Sequence, residues 1–287
     1  MGGVLGSADD PSQSASALDP FENEQRYVLT RAQVVAFFAA VASRAALELY
    51  DRARPISYTR TTYLDTDDFA YFRSCDGPVA RRLRIREYAV AAEPGDTATL
   101  SGICFLELKQ NSGTARSKIR LCAPPPVLAR IIASAGQLAA DDPDLAAVEP
   151  LAALRALQDE LSSGRMSPCL STWYRRTCLT GEGGRVRITL DEGLLFSHPQ
   201  PIGVAGATVG PREVVARGPG RVLEIKHWGG TPEWLANAVE GLRPAPNFSK
   251  FHIGMLALSQ LGAAPGLPVE REVTPGPTLF VLSGPER

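Results

Sequence analysis

The sequence predicts an α+β protein built on a closed antiparallel β-barrel, with helices packed on the outside of the barrel. Two observations predict it. The first is a set of strand-length segments in which charged and apolar residues alternate. In Arg82-Leu83-Arg84-Ile85-Arg86-Glu87-Tyr88, side chains alternate across a strand, so Arg82, Arg84 and Arg86 share one face while Leu83 and Ile85 share the other. Like charges in register repel, and three arginines on one face call for a multivalent anion to offset them. The second observation is that other strands repeat the pattern. A flat sheet would leave this basic face in water as an adhesive patch. Closing the sheet turns it inward and leaves an apolar exterior for helices to cover.

Bulk composition bounds the rest. The chain has 287 residues and is 44% hydrophobic, enough for one large domain or two small ones. Lys plus Arg (30) and Asp plus Glu (31) leave a formal net charge of -1, which argues against a general nucleic-acid binder. A basic site here must be locally concentrated. Cys75, Cys104, Cys122, Cys169 and Cys178 form no CxxC pair and are odd in number, against a zinc site or a disulfide framework and in keeping with a reducing compartment. The longest apolar helical run, Val34 to Ala42, is too short to span a bilayer. No charged-then-apolar signal peptide opens the chain. The expectation is a cytoplasmic protein with no transmembrane segment.

Residues 1–20, mostly Gly, Ser, Ala, Asp and Gln, read as a disordered leader. Phe21 to Leu29 is the first strand, with Glu22, Glu24 and Arg26 alternating with Asn23, Gln25 and Tyr27. Thr30 caps a helix through Val34, Val35, Phe37, Phe38 and Val41 to about Ala46. Ser57 to Asp65 is β-rich and ends in Tyr63-Leu64-Asp65-Thr66. A short helix from Asp67 to Arg73 precedes the arginine strand, which starts near Ala80. Gly102 to Gln110 follows, with Phe105, Glu107 and Lys109 opposite Leu106 and Leu108. After a turn at Gly113, Ala115 to Cys122 returns with Arg116, Lys118 and Arg120 alternating against Ser117, Ile119 and Leu121.

Pro124-Pro125-Pro126 ends that strand and opens a helical insertion over 124–164, with helices at Val127 to Ala135 and Pro143 to Leu161, expected to pack on the outside of the sheet. Strands resume at Leu170 to Leu179, with Thr172, Tyr174 and Arg176 on one face. Arg185 to Asp191 places Arg185, Arg187, Thr189 and Asp191 together. Gly193 to Gly220 is a Pro/Gly-laden loop with a short strand near Glu213 to Ala216. Arg221 to Trp228 is the last clear strand, pairing Glu224 and Lys226 on one face. Thr231-Pro232-Glu233 starts a helix, with Pro at its first position. Ser249 caps a final helix to Leu261, and 263–287 reads as a loose Pro/Gly-rich tail.

The charged faces assemble into one constellation: Arg26, Arg84 with Arg86, Lys109, Lys118, Arg176, Arg187 and Lys226. Burying so many cations unpaired would be prohibitive. A channel holding water, phosphate and a divalent metal resolves the difficulty, because the guanidinium fork matches phosphate oxygens. Glu24, Glu107 and Glu224 supply candidate metal ligands and partial charge balance, and hard oxygen donors of this kind suit Mg²⁺ or Mn²⁺ bound together with substrate phosphates.

Nine segments in order carry a resemblance. They are Glu24-Gln25-Arg26-Tyr27, Tyr63-Leu64-Asp65-Thr66, Arg84-Ile85-Arg86-Glu87-Tyr88, Glu107-Leu108-Lys109, Lys118-Ile119-Arg120, Tyr174-Arg175-Arg176, Arg187-Ile188-Thr189-Leu190-Asp191, Glu224-Ile225-Lys226 and Ser249-Lys250-Phe251. Over about Glu22 to Leu261 the chain resembles the VTC domain, the polyphosphate polymerase domain of the vacuolar transporter chaperone complex, in the triphosphate tunnel metalloenzyme superfamily. The resemblance implies one domain over 21–262, a barrel enclosing a tunnel. Arg26, Arg84, Arg86, Lys109, Lys118, Arg176, Arg187, Lys226 and Lys250 would grip a phosphate chain. Glu224 would hold Mn²⁺ or Mg²⁺, with Glu24 and Glu107 as possible additional ligands. The implied reaction moves the terminal phosphate of ATP onto a growing polyphosphate chain and releases ADP, with Lys250, Arg84, Arg86 and Lys226 at the reacting phosphates. Such transfer needs alignment and charge neutralisation more than covalent chemistry.

Two departures keep alternatives open. Arg26 stands where the family usually has Lys, a change of reach and hydration at constant charge. Glu22-Asn23-Glu24-Gln25-Arg26 also approaches the E-x-E-x-K signature of the related CYTH triphosphatases, so hydrolysis of tripolyphosphate or nucleoside triphosphates is the alternative. A polyphosphate-binding module without turnover is a third. Lys250 opens a helix, where the dipole disfavours a cation, and this points to a task in the tunnel. His198, His227 and His252 lack metal-ligand spacing and read as structural or exposed. Trp173, Trp228 and Trp234 read as packing residues. Tyr63 and Asp65 fit either an orienting role in the tunnel or an ordinary turn.

Overall fold

The computed structural model describes residues 17–18, 23–112, 115–139, 141–261 and 280–281. The leader and tail predicted at 1–20 and 263–287 lie outside these residues, apart from β1 (Ala17–Leu18) and β13 (Phe280–Val281). Between them run β2 (Asn23–Val28), α1 (Arg31–Val41), β3 (Ala45–Glu48), β4 (Ile56–Asp65), α2 (Ala70–Arg73), β5 (Val79–Ala91), β6 (Ala98–Ser112) and β7 (Ala115–Ala123). Then come α3 (Pro125–Ala133), α4 (Leu151–Ser162), β8 (Ser167–Gly181), β9 (Val186–Ser197), β10 (Thr208–Val209), β11 (Val214–Arg217), β12 (Arg221–His227), α5 (Glu233–Val239) and α6 (Lys250–Gln260). All strands belong to one antiparallel sheet, whose long path is β7-β6-β5-β4-β8-β9-β12-β2.

This path curls on itself. Lys109 on β6 feels Lys226 and Glu224 on β12, with four strands between them along the ladder, and Arg116 on β7 makes a 2.9 Å ion pair with Glu24 on β2. Among the described residues β7 and β2 share no backbone pairing. The closed barrel expected from the charge pattern is therefore not closed by hydrogen bonds. Strand β1 occupies the outer edge of β7, with Ala17 opposite Lys118, and side chains bridge the gap to β2.

The outward face is apolar where helices cover it, as the alternation requires. Leu83, Ile85, Leu106 and Leu121 pack against Leu128, Ile131, Leu154 and Leu157 of α3 and α4. Each fully buried leucine here contributes roughly 1.5–3 kcal/mol. The 124–164 insertion thus covers the sheet from outside, with a 3₁₀ turn at Pro143–Ala147 and a break at Pro150 where one helix was expected; Pro lacks the N–H a continuing helix needs. On the other flank, Tyr27, Ile188, Leu223 and Ile225 meet Phe37 and Val41 of α1 and Leu235 of α5. Helix α6 lies across one end of the sheet's inner face, where Phe251 stacks on Tyr63 at 4.9 Å. Gly254 permits that approach: a Cβ there would stand 2.5 Å from the Leu170 side chain.

Several boundaries differ from expectation, each for a local reason. The first helix stops at Val41 instead of about Ala46, because Ala45–Glu48 becomes β3 and pairs with the part of β8 beyond the end of β4. The short helix begins at Ala70, not Asp67. Asp65 is buried and accepts the N–H groups of Thr66, Tyr71 and Phe72, which makes it the anchor of that turn. Strand β6 starts at Ala98, four residues before Gly102, whose φ of 82° suits an irregular pairing with β5. Trp228 is exposed, against the packing role expected of it, while Trp173 is buried against Tyr58. All five cysteines are free thiols. Among the described residues no helix is long and apolar enough to cross a membrane.

Candidate functional site

The pleat of each strand decides which side chains face inward, and the ladder shows that the predicted cations share that face. Arg82 is opposite Lys109, which is opposite Lys118; in the next row Arg84, Glu107 and Arg120 align. Across the sheet Arg176 is opposite Asp191, Lys226 opposite Arg187, and Glu224 opposite Arg26. The row Arg82–Lys109–Lys118 sets like charges directly opposite one another, an arrangement that costs stability unless an anion joins it. Lys250 enters from the first turn of α6. Every predicted phosphate-binding residue therefore contributes to one basin.

Four carboxylates organise these cations. Glu107 is fully buried and receives Arg84 Nε at 2.7 Å and Arg120 Nε at 2.7 Å, one guanidinium on each oxygen. Asp191 receives Arg176 through Nε at 2.7 Å and Nη2 at 2.8 Å, and Lys250 Nζ at 2.7 Å. Glu224 takes Arg26 Nε at 3.0 Å. Glu24 pairs with Arg26 and lies 3.8 Å from Lys226 Nζ. The cations still outnumber these anions. The buried Nε groups of Arg82 and Arg86 and the hydroxyls of Thr61 and Thr189 have no hydrogen-bond partner. Unsatisfied buried donors in a native basin indicate a ligand or ordered water.

Electrostatics follow from this crowding. Burial would raise the carboxyl of Glu107, but Arg84, Arg120, Arg86 and Lys109 hold it well below the usual carboxylate range. Glu224 is likewise held well down by Arg26, Lys226, Lys250 and Arg176 against the opposing effect of burial. Asp191 is lowered by Arg176 and Lys250 against burial. Lys109 moves the other way for a cation: burial, then Arg84 and Lys226, push it well below its ordinary value. Burial also disfavours charged Lys250, yet Asp191 raises it. Lys250 lies 4.8 Å from the ring centre of Tyr174, so its cation is fixed by a carboxylate and an aromatic face.

The donor set suits a hard divalent cation. Glu224 is opposite Thr189 in the ladder, and the Thr189 hydroxyl is one of the buried oxygens left without a partner. Among the described residues no three His, Cys, Asp or Glu side chains form a protein-only metal cluster. One or two carboxylates completed by substrate phosphates is the arrangement Mg²⁺ commonly adopts. Glu107 stands apart from this pair, with both oxygens engaged by arginines.

The VTC domain profile matches residues 21–259. The chain belongs to the VTC domain family. No curated protein matches it. A solved structure from Bacillus halodurans, described as a candidate adenylate cyclase, is similar at 14% identity over 83% of this chain and 97% of that one, with a TM-score of 0.46. Identity at that level assigns nothing to this chain. Within the VTC domain, eight of the nine sequence segments lie on or at the end of strands and the ninth, Ser249-Lys250-Phe251, opens α6; Tyr63 packs under Phe251 and Asp65 anchors the turn into α2.

Sequence reasoning passed over Asp191 and Arg120 as site residues. Both were visible as inward positions: Asp191 shares parity with Arg187 and Thr189, and Arg120 with Lys118. His227 and His252 make their bonds elsewhere: His227 bonds Gly229 O and Thr231, and His252 lies 3.4 Å from Asp76.

Proposed function

We propose that this VTC domain is a metal-dependent polyphosphate polymerase that transfers the terminal phosphate of ATP to a growing polyphosphate chain and releases ADP. The observation carrying this reading is the inward basin of cations, supplied by the strands and α6, with buried guanidinium donors on Arg82 and Arg86 still unsatisfied. A terminal oxygen of the acceptor chain forms a bond to the γ-phosphorus of ATP as the bond to the β,γ-bridging oxygen breaks, and ADP leaves with that electron pair. Arg84, Arg86, Lys226 and Lys250 would hold the reacting phosphates, and Arg26, Lys109, Lys118, Arg176 and Arg187 the rest of the chain. Pre-set cations of this sort cost no reorganisation when charge moves in the transition state. Mn²⁺ or Mg²⁺ held by Glu224, with Glu24 nearby, would draw charge from the phosphate oxygens. Glu107 serves as the counter-charge that keeps Arg84 and Arg120 in place.

The test is incubation with ATP and Mn²⁺, with products resolved on gels and by ³¹P NMR. Long chains with ADP are expected. Orthophosphate without chains would support the hydrolase reading instead, which the Glu24-x-Arg26 pair on the inner face favours. Retention of polyphosphate with no turnover would leave a binding module.

A further inference from the structure

An aromatic group at the end of the basin away from α6 is not among the phosphate-binding residues. Along β5, Arg84 lies opposite Tyr63, which α6 covers, and Arg86 and then Tyr88 lead away from that covered end. Arg86 sits over the Tyr88 ring at 4.9 Å. Tyr88 in turn stacks on Tyr50 with ring centres 5.9 Å apart and planes 18° off parallel. Phe105 meets Tyr88 edge-on at 6.0 Å. Tyr50 follows β3 at the rim and keeps 38% of its surface exposed, though a packing role alone would favour burying it. The contacts thus run from an exposed aromatic face inward to a buried guanidinium whose Nε has no hydrogen-bond partner. A nucleotide has the same order of parts: a flat base, a sugar, then phosphates.

We infer that Tyr50, backed by Tyr88, is a stacking platform for the base of a nucleoside triphosphate whose phosphates reach Arg86 and the basin beyond. This rests on the triphosphate reading of the basin and adds a subsite for the nucleoside. Stacking on an aromatic ring tolerates any base, because every base has a π face. The platform therefore favours nucleoside triphosphates over inorganic ones without choosing among bases. Its entry side follows from α6, which lies across the other end.

The experiment compares calorimetric binding of ATP and of inorganic tripolyphosphate to the full chain and to Tyr50→Ala. ATP affinity is expected to fall roughly tenfold, about 1.4 kcal/mol, while tripolyphosphate affinity stays within about twofold. Tyr50→Trp is expected to bind ATP at least as tightly as the parent. Equal effects on both ligands, or none on ATP, would overturn the platform while leaving the phosphate basin standing. A parent chain that binds neither ligand would overturn the basin reading, and the platform with it. If Tyr50→Ala unfolds, Tyr50→Leu retains an apolar contact with Tyr88 but lacks the π face, and the same comparison applies.

Discussion

Glu107→Gln distinguishes a counter-charge from a metal ligand. Glu107 is fully buried and bonds Arg84 and Arg120 at 2.7 Å each. Removing one partner of a buried pair leaves an uncompensated charge and costs about 3–5 kcal/mol. Glutamine keeps an acceptor oxygen but not the charge, so the loss should fall near the lower bound. For a domain of this size about 3 kcal/mol corresponds to a Tm drop on the order of 10 °C. The two arginines, released from their carboxylate, should then bind an external anion more tightly. Ligand at about 100 times its Kd stabilises by about 2.7 kcal/mol, and tripolyphosphate should rescue the variant by more than it stabilises the parent. Urea unfolding with and without tripolyphosphate measures both quantities. The Mn²⁺ requirement for turnover should not move. A stability loss under about 1 kcal/mol, or a raised Mn²⁺ requirement, would refute the counter-charge role.

Three further outcomes follow from the same charges. Glu224→Ala should abolish metal-dependent turnover with the fold intact by circular dichroism; an unchanged rate would remove the metal assignment. Lys109 is held well below its ordinary 10.5 by burial and neighbouring cations, so it is partly neutral in alkaline solution, and a bound polyanion should return its proton. Tripolyphosphate binding should then take up protons and weaken as pH rises through that window, seen by calorimetry in buffers of different ionisation enthalpy. The uptake should vanish in Lys109→Met, and uptake that survives the substitution would assign it elsewhere. On the acid side, Glu107, Glu224 and Asp191 all have lowered carboxyls. Their stabilisation is fully present above the unfolded values of about 3.9–4.3 and is lost as pH falls below them. The urea midpoint should therefore decline steeply below about pH 4, and a flat profile would count against it.

What the sequence showed and what it hid divide along a physical line. Alternation in Arg82 to Tyr88 is set by the backbone itself, because a strand sends neighbouring side chains to opposite faces whatever surrounds it. The inward set from Arg26 to Lys226 could accordingly be read before any contact was known. Closure could not, since it depends on what pairs with the last edge: β1 takes the outer side of β7, and a side-chain ion pair between Arg116 and Glu24, not a backbone ladder, spans to β2 among the described residues. The fate of Ala45–Glu48 was hidden for a similar reason, as an alanine-rich stretch with helical propensity was claimed by an unpaired length of β8. Tertiary pairing outweighs propensities worth only tenths of a kcal/mol per residue.

The same line explains the buried pair that no alternation announces. Arg60 and Glu87 face outward, where the pattern expects apolar residues, yet Arg60 is bonded to Glu87 at 2.7 and 2.8 Å and to Pro201 O at 3.0 Å. Gly203 N–H donates to the same glutamate at 2.8 Å. A loop after β9 thus buries two charges by satisfying them, which is the condition for burying charge at all. The inner basin breaks that condition at the Nε groups of Arg82 and Arg86. Two sets of buried charge in one sheet, one saturated by its own chain and the other with guanidinium donors left over at Arg82 and Arg86, separate a structural clamp from the basin proposed to take phosphate.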